Sequence, residues 1–384
     1  MGALDILNAA LNETQNSYAL PGYCKRVRFR KSNCQKCVEI CPENVIALDP
    51  GPTIKDGCSD CGLCQRVCPT EVFQNELSTD QDLLNQAKSF LDKEESQPDK
   101  NTLFINCHRA ENRNEHSLSI PCLGKITENI ILGAALLGFD GALLIHGICA
   151  KCHFERGMKL LSNSIMTSRV LLESLGLRKF SLNLLEQEKG KEKILSRREI
   201  FSDISNEVKK KTSSYLCHKE GAFRRKLGSS PERKDGKRGS PRRRLLQTLI
   251  QQKGWGKSVV LKYRPEFPWG KIKIDEKSCS ACGTCLALCP TGSISNKSED
   301  AYQLFYLNSS LCTNCSICKE ACPKNAIDFE AEFSLTDILE DEAKVVARVK
   351  LTSCVICGEI MTAEKGNLCF TCQKRQVWPM QVNV

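Results

Sequence analysis

The sequence predicts a mixed architecture, α/β plus α+β, in which two small cysteine-rich α+β domains flank a central parallel-sheet α/β domain and a short metal-bound tail closes the chain. Three observations carry that expectation. Twenty-five cysteines stand in 384 residues, and all but Cys217 fall into four groups, at 24–68, 107–152, 279–322 and 354–372. The first and third groups hold eight cysteines each and are alike in spacing except in one run, which marks an internal repeat. Between them, residues 102–185 alternate β-rich runs with helical periodicity.

Cysteine usage this high means either a secreted disulfide framework or metal sites. The first twenty residues, MGALDILNAALNETQNSYAL, carry no basic n-region, continuous apolar core or small-residue cleavage site. The thiols are therefore read as reduced and metal-bound, and the expected compartment is cytoplasmic. The longest apolar run, 130–139, is about half of what a membrane span needs.

The C-terminal repeat is the clearest signal. Cys279-x2-Cys282-x2-Cys285-x3-Cys289-Pro290 is followed by Cys312-x2-Cys315-x2-Cys318-x3-Cys322-Pro323. In each run three thiolates wrap one cubane, while the fourth, just before a proline, ligates the other cluster. Cys279, Cys282, Cys285 and Cys322 are expected to hold one 4Fe-4S centre, and Cys312, Cys315, Cys318 and Cys289 a second. Two zinc sites or free thiols are the plainer alternatives.

The N-terminal block has one complete run, Cys58-x2-Cys61-x2-Cys64-x3-Cys68-Pro69, and one altered run, Cys34-x2-Cys37-x3-Cys41-Pro42, where Lys31 takes the place of the first cysteine. Cys24 is the candidate to replace it, with the intervening residues looping out. The centres would then be Cys24, Cys34, Cys37 and Cys68, and Cys58, Cys61, Cys64 and Cys41. A three-cysteine site of the 3Fe-4S kind, with Cys24 merely buried, is the alternative. A helix over 80–93 is expected to close this block.

In the centre, strands are expected at TLFIN, SLSI, ALLIH and KFSLNLL, with helices over about 126–137 and 155–175. Cys107, Cys122, Cys149 and Cys152 then follow the carboxyl ends of strands, the edge where open α/β sheets place ligands. Four thiolates match a 2Fe-2S cluster; a Cys149-x-x-Cys152 dithiol pair is the competitor. His108 and His153 adjoin these cysteines, as neighbours or as Rieske-type ligands.

Cys354-x2-Cys357 and Cys369-x2-Cys372, eleven residues apart, have the spacing of a zinc ribbon; a rubredoxin-type iron is the competitor. Residues 186–215 read as a charged helix and 219–244 as a solvated linker, with a short helix recovered over 242–252. The formal charge of +10 resides in 219–257, which holds 13 Lys/Arg against 3 Asp/Glu. Such a segment binds phosphates or an acidic partner, or is simply a linker. Cys217, beside His218, is a lone thiol. No GxGxxG, P-loop or histidine-carboxylate motif appears, and the glycines of GWGKS are too few.

The eight-cysteine blocks resemble bacterial-type dicluster ferredoxins. Cys107, Cys122, the run LLGFDGALLIHGICAKCHFERG and the downstream LLESLGL resemble the hydrogenase iron-sulfur subunit family, the delta subunit of methyl-viologen-reducing hydrogenase. That family places four residues between its last two cysteines, against two here. The resemblance implies an iron-sulfur electron-transfer subunit of an anaerobe, relaying electrons between a hydrogenase or formate dehydrogenase and a heterodisulfide reductase-like flavoprotein.

The expected organisation is thus a ferredoxin-like dicluster domain at 1–100, the α/β domain at 101–186, the charged and basic linker at 187–258, a second ferredoxin-like dicluster domain at 259–345 and a zinc-ribbon tail at 346–384. The cofactors are four 4Fe-4S clusters, one 2Fe-2S cluster and one Zn. Competing readings are a thiol/disulfide reductase using Cys149 and Cys152, and a redox-sensing nucleic-acid binder using the basic segment, for which 242–244 would be decisive.

Overall fold

The structure, a computed structural model, describes residues 17–75, 78–92, 101–110, 116–187, 239–253, 259–363 and 366–377. Cys217, the expected charged helix at 186–215 beyond residue 187, most of the basic segment and the GWGKS glycines lie outside them. The chain divides into two compact units. One comprises Met1–Cys24, Cys34–Arg233 and Arg244–Gly256; the other comprises Lys25–Asn33, Lys234–Arg243 and Lys257–Val384.

The first unit is centred on a four-stranded sheet in which every neighbouring pair is parallel. Its order is Ser117–Ile120, Thr102–Cys107, Gly141–His146, Ser181–Glu186. Leu103, Ile105, Leu118 and Leu144 are fully buried, as expected for strands covered on both faces. The helix Glu128–Leu137 starts two residues later than its periodicity suggests, because the Thr127 hydroxyl accepts from the Asn129 N–H and Ile126 is extended. It ends at Gly138, whose φ of 107° is the left-handed C-cap favoured by glycine. The second helix, Gly157–Ser174, leads back to the last strand.

The helix Asp80–Leu91 has a capping box, Thr79 with Asp82. It packs on the sheet domain rather than only closing the N-terminal block. Asp80 accepts from the Thr127 hydroxyl at 2.6 Å and the Asn129 amide at 2.9 Å. Leu84 fills the space a side chain on Gly133 would need. The N-terminal block itself is small: Ser17–Ala19 pairs antiparallel with Phe73–Asn75, and Ile46–Ala47 with Thr53–Ile54, around Tyr23, Ile46, Val72 and Phe73.

In the second unit Ile272–Ile274 pairs with Ile327–Phe329, and Ile294–Glu299, Tyr302–Leu307, Lys344–Ser353 and Ile360–Thr362 form an antiparallel sheet. The strand Lys344–Ser353 runs unbroken across the expected boundary at 346 and pairs at one end with Tyr302–Leu307 and at the other with Ile360–Thr362. The short helix Lys25–Arg28 belongs to this unit. Arg28 donates from Nε to the Leu288 carbonyl at 2.9 Å and from Nη2 to that of Ala287 at 3.0 Å, and Lys25 pairs with Glu320. These bonds satisfy carbonyls at the end of the helix Thr284–Leu288 and favour its C-terminal dipole. On the helix Pro241–Lys253, Arg243 is buried: Nε donates to the Ser310 carbonyl and Nη2 to that of Ile338, each at 3.1 Å, with the guanidinium over Trp269.

Candidate metal centre

Every C-x2-C-x2-C loop repeats one backbone device. The residue before the second cysteine and the residue after it have positive φ: Asp60 and Gly62, Ala281 and Gly283, Asn314 and Ser316, all between 48° and 76°. Two left-handed residues around the central thiol bend the backbone so that three side chains point inward. After each cysteine-proline pair, the third residue beyond the cysteine is again left-handed: Asn44, Glu71, Gly292 and Asn325. The altered run lacks the loop device, because Lys36–Ile40 is already helical through Cys37.

The twenty-four described cysteines are all free thiols. Their mutual electrostatics sort them. Burial, then the neighbouring Cys68, Cys34 and Cys24 sulfurs, push the Cys37 thiol up to about 12. Burial, followed by Cys61, Cys58 and Cys41, raises Cys64, and Cys58 rises to about 11 through burial, Cys61 and Cys41 against the Asp60 N–H. In the sheet domain burial and then Cys107, Cys152 and Cys149 outweigh the Gly124 N–H and raise Cys122 to about 12. Burial, Cys107 and Cys152 raise Cys149 to about 11.

The second unit behaves alike. Burial, Cys279 and Cys282 raise Cys285 to about 12, and Cys279 feels burial, Cys282 and Cys322. Burial, Cys289 and Cys312 raise Cys315 to about 12, while Cys318 lies well above its ordinary value through burial, Cys315, Cys312, Cys289 and Cys285. Thiols that resist ionising one beside another are what a soft, highly charged centre binds, since it neutralises four thiolates together. One pocket is lined by Cys289, Cys312, Cys315 and Cys318 with Ile272, Ile294, Phe329 and the hydroxyl residues Thr291, Ser293, Thr313 and Ser316, and another by Cys41, Cys58, Cys61 and Cys64 with Val45, Ile46, Ile54, Ser17, Ser59 and Glu43. Four converging thiols in each suit an iron-sulfur group.

Residues 278–327 match the family model of the 4Fe-4S dicluster domain. Residues 104–210 match that of the methyl-viologen-reducing hydrogenase delta subunit. No curated protein matches the chain. The second unit therefore contains a 4Fe-4S dicluster domain and the first a domain of the delta-subunit kind, which together fit an iron-sulfur electron-transfer subunit.

Around the sulfurs, hydroxyls and amides are arranged to solvate negative charge. Thr70 Oγ1 lies 3.4 Å from Cys68 Sγ and Thr291 Oγ1 3.6 Å from Cys289 Sγ, each two residues after its cysteine. The N–H groups of Gly124, Phe154 and Ala326 donate to Cys122, Cys152 and Cys322. Donors of this kind favour the more negative state of a centre.

In the delta-subunit-like domain, Cys107 ends its strand and Cys122, Cys149 and Cys152 follow theirs, so all four lie at the carboxyl edge of the parallel sheet. His108 Nδ1 contacts the Pro121 carbonyl at 2.6 Å and His153 Nε2 lies 3.0 Å from Glu43, so one nitrogen of each ring has an oxygen partner. The histidine that does approach is His146, buried, with Nδ1 3.5 Å from Cys149 Sγ. Nothing in its spacing singles it out. Lys125, a lysine 6% exposed, likewise escapes sequence reasoning: its ammonium donates to Ser78 Oγ at 2.6 Å and its stem covers Gly62, beside Cys61.

In the tail, the sulfurs of Cys354, Cys357, Cys369 and Cys372 all lie within 4.8 Å of one another. The Cys354 N–H donates to the Glu359 carbonyl and the Gly358 N–H to the Cys354 carbonyl, closing a tight knuckle. Backbone N–H groups of Cys369 and Cys357 hold Cys354 down to about 6, whereas the adjacent Cys357 sulfur and burial push Cys372 up to about 12. Four sulfur donors on two knuckles suit tetrahedral zinc.

Proposed function

We propose that this chain is a multicentre iron-sulfur relay: four 4Fe-4S clusters, one 2Fe-2S cluster and one structural Zn, moving electrons between a hydrogenase or formate dehydrogenase-type donor and a heterodisulfide reductase-like flavoprotein. The observation that carries it is that Cys37, Cys64 and Cys122 each feel the other three sulfurs of one set of four, while Cys285 and Cys315 each feel two sulfurs of theirs. The ligand sets are Cys24, Cys34, Cys37 and Cys68; Cys41, Cys58, Cys61 and Cys64; Cys107, Cys122, Cys149 and Cys152; Cys279, Cys282, Cys285 and Cys322; and Cys289, Cys312, Cys315 and Cys318. Cys354, Cys357, Cys369 and Cys372 hold the Zn. The bound groups supply reversible one-electron storage.

The chain's own residues tie down thiolates, exclude water through the aliphatic walls and solvate sulfur charge through Thr70, Thr291 and backbone amides. Catalysis then belongs to partner proteins, in the cytoplasm of an anaerobe. No helix among the described residues is long and apolar enough to cross a membrane. Cys149 is pushed up to about 11 by burial and by the Cys107 and Cys152 sulfurs, and Cys122 feels Cys107, Cys152 and Cys149, which supports a set of four thiols over an isolated dithiol pair. Burial of Arg243 removes it from the side chains a nucleic acid could reach.

Iron, sulfide and zinc determination on anaerobically prepared protein tests this reading. About 18 iron atoms and about one zinc per chain are expected. About 16 iron, with Cys149 and Cys152 open to alkylation, would replace the relay's middle step by a dithiol reductase.

A further inference from the structure

Within the first unit, two apolar packing groups join three of the proposed ligand sets in series. The first gathers Cys24, Cys37, Cys68, Cys41 and Cys64 around Tyr23, Ile46, Val72 and Phe73. The second gathers Cys61 and Cys64 with Cys122 around Ile40, Leu63, Leu160 and Phe154. Cys64 is common to both. The set Cys41, Cys58, Cys61 and Cys64 thus touches both neighbours, whereas in these two packing groups of the described residues no sulfur of Cys24, Cys34, Cys37 and Cys68 shares a group with Cys122.

The contact between the middle set and the sheet domain is unusually close. Leu63, between Gly62 and Cys64, is wholly buried. A Cβ on Gly124 would stand 2.8 Å from the Leu63 side chain and 2.6 Å from the Gly157 backbone; one on Gly157 would stand 2.6 Å from Cys122 Sγ. Neither position has room for a methyl group, so two glycines let the ligand-bearing loop of one domain lie directly on that of the other.

Polar bonds around the dry patch hold it in place. Arg66 Nη2, on the same helix as Cys64, donates to Ser164 Oγ at 2.8 Å, and Arg156 Nη1 donates to the Glu39 carbonyl at 2.6 Å.

We propose that Leu63, Gly124 and Gly157 form an electron-transfer junction between the centre on Cys41, Cys58, Cys61 and Cys64 and the centre on Cys107, Cys122, Cys149 and Cys152, which makes the centre on Cys24, Cys34, Cys37 and Cys68 the far end of this branch. The step is the passage of one electron: one centre is oxidised by one electron, the other reduced by one, and no bond or proton moves. The electron originates in a reduced redox protein. A water-free, close-packed contact favours the step because tunnelling decays more slowly through packed atoms than across a solvent gap, and a fixed low-polarity site needs little reorganisation.

This inference rests on the cluster reading above. Its test is low-temperature EPR of the full-length anaerobic chain during a dithionite titration. The signal of the reduced sheet-domain centre should split or relax faster once the neighbouring centre is reduced. In Cys58→Ser that interaction should disappear while the sheet-domain signal persists; in Cys24→Ser it should be retained. A sheet-domain signal with unaltered relaxation in the unmodified chain overturns the junction and leaves the cluster reading intact, and this measurement needs no variant. Loss of the interaction in Cys24→Ser but not in Cys58→Ser overturns the proposed order. Absence of any sheet-domain signal, with iron near 16 per chain, overturns both readings.

Discussion

Replacing Arg243 by methionine keeps much of the side chain's volume and removes its charge from a buried site. Arg243 is 4% exposed and makes two good bonds to carbonyls, at 3.1 Å to Ser310 and 3.1 Å to Ile338, with the Trp269 ring centroid 5.3 Å away. A hydrogen bond from a charged donor contributes about 1.5–3 kcal/mol net, and the cation-ring contact about 1 kcal/mol. Allowing for the packing methionine restores, the loss is about 3–5 kcal/mol, equivalent to a roughly 10²- to 10⁴-fold rise in the open population.

The assay is anaerobic loss of the visible iron-sulfur absorbance in a strong ferrous chelator, under conditions where reclosing outpaces capture and the rate follows the open fraction. Arg244→Met, at an exposed position on the same helix, is the comparison, expected to change the rate by less than about threefold. A rate for Arg243→Met that also stays within about threefold of the unmodified protein would refute the reasoning: the buried guanidinium would then contribute no more than a surface charge. The same outcome would return Arg243 to the pool of cations available to a polyanion.

Cys24→Ser should lower the iron content by one cluster, about four atoms, or leave a three-iron signal in its place; unchanged iron would remove Cys24 from the ligand set. Lys125→Met should make the centre beside Cys61 harder to reduce by some tens of millivolts in an EPR-monitored titration, because a unit charge at roughly 10 Å and an effective dielectric of about 20 contributes about 1.7 kcal/mol toward the more negative state. In the tail, Cys354 is already ionised at neutral pH, while Glu359 and burial outweigh the Cys372 N–H to raise Cys369, and Cys372 sits at about 12. Zinc uptake must expel at least those two protons, so the apparent affinity, measured by competition with a chromophoric chelator, should rise at least about a hundredfold per pH unit and weaken as pH falls.

The spacing of cysteines made the dicluster domain legible at once, because a cluster imposes its own geometry on whatever sequence carries it. Period and β-branching in 102–185 were enough for the parallel sheet; the first helix ends at Leu137 as expected, its start moves to Glu128 because Thr127 caps it, and the second helix and last strand shift by one or two residues. Other features depend on long-range packing that leaves no local pattern. Arg28, inside the segment that displaces the altered run's first cysteine, looks like a solvated loop residue until its carbonyl partners 260 positions away are known. Lys125 reads as an ordinary surface lysine, and His146 as the end of an apolar strand. Leu84 against Gly133 ties the helix Asp80–Leu91 to the sheet domain, a pairing that periodicity alone cannot assign.

The left-handed loop residues carry one more implication. Glycine fills three of the ten left-handed positions that flank a central loop thiol or close a cysteine-proline turn, yet Ala281 adopts φ 54° with neither glycine's freedom nor a polar side chain to bond its own backbone. That conformation costs roughly 1–2 kcal/mol, a cost that three thiolates drawn onto one centre would offset. In the loop of Cys279, Cys282 and Cys285 the proposed centre would therefore help to hold the bend, and Ala281→Gly would ease the empty loop into the same shape.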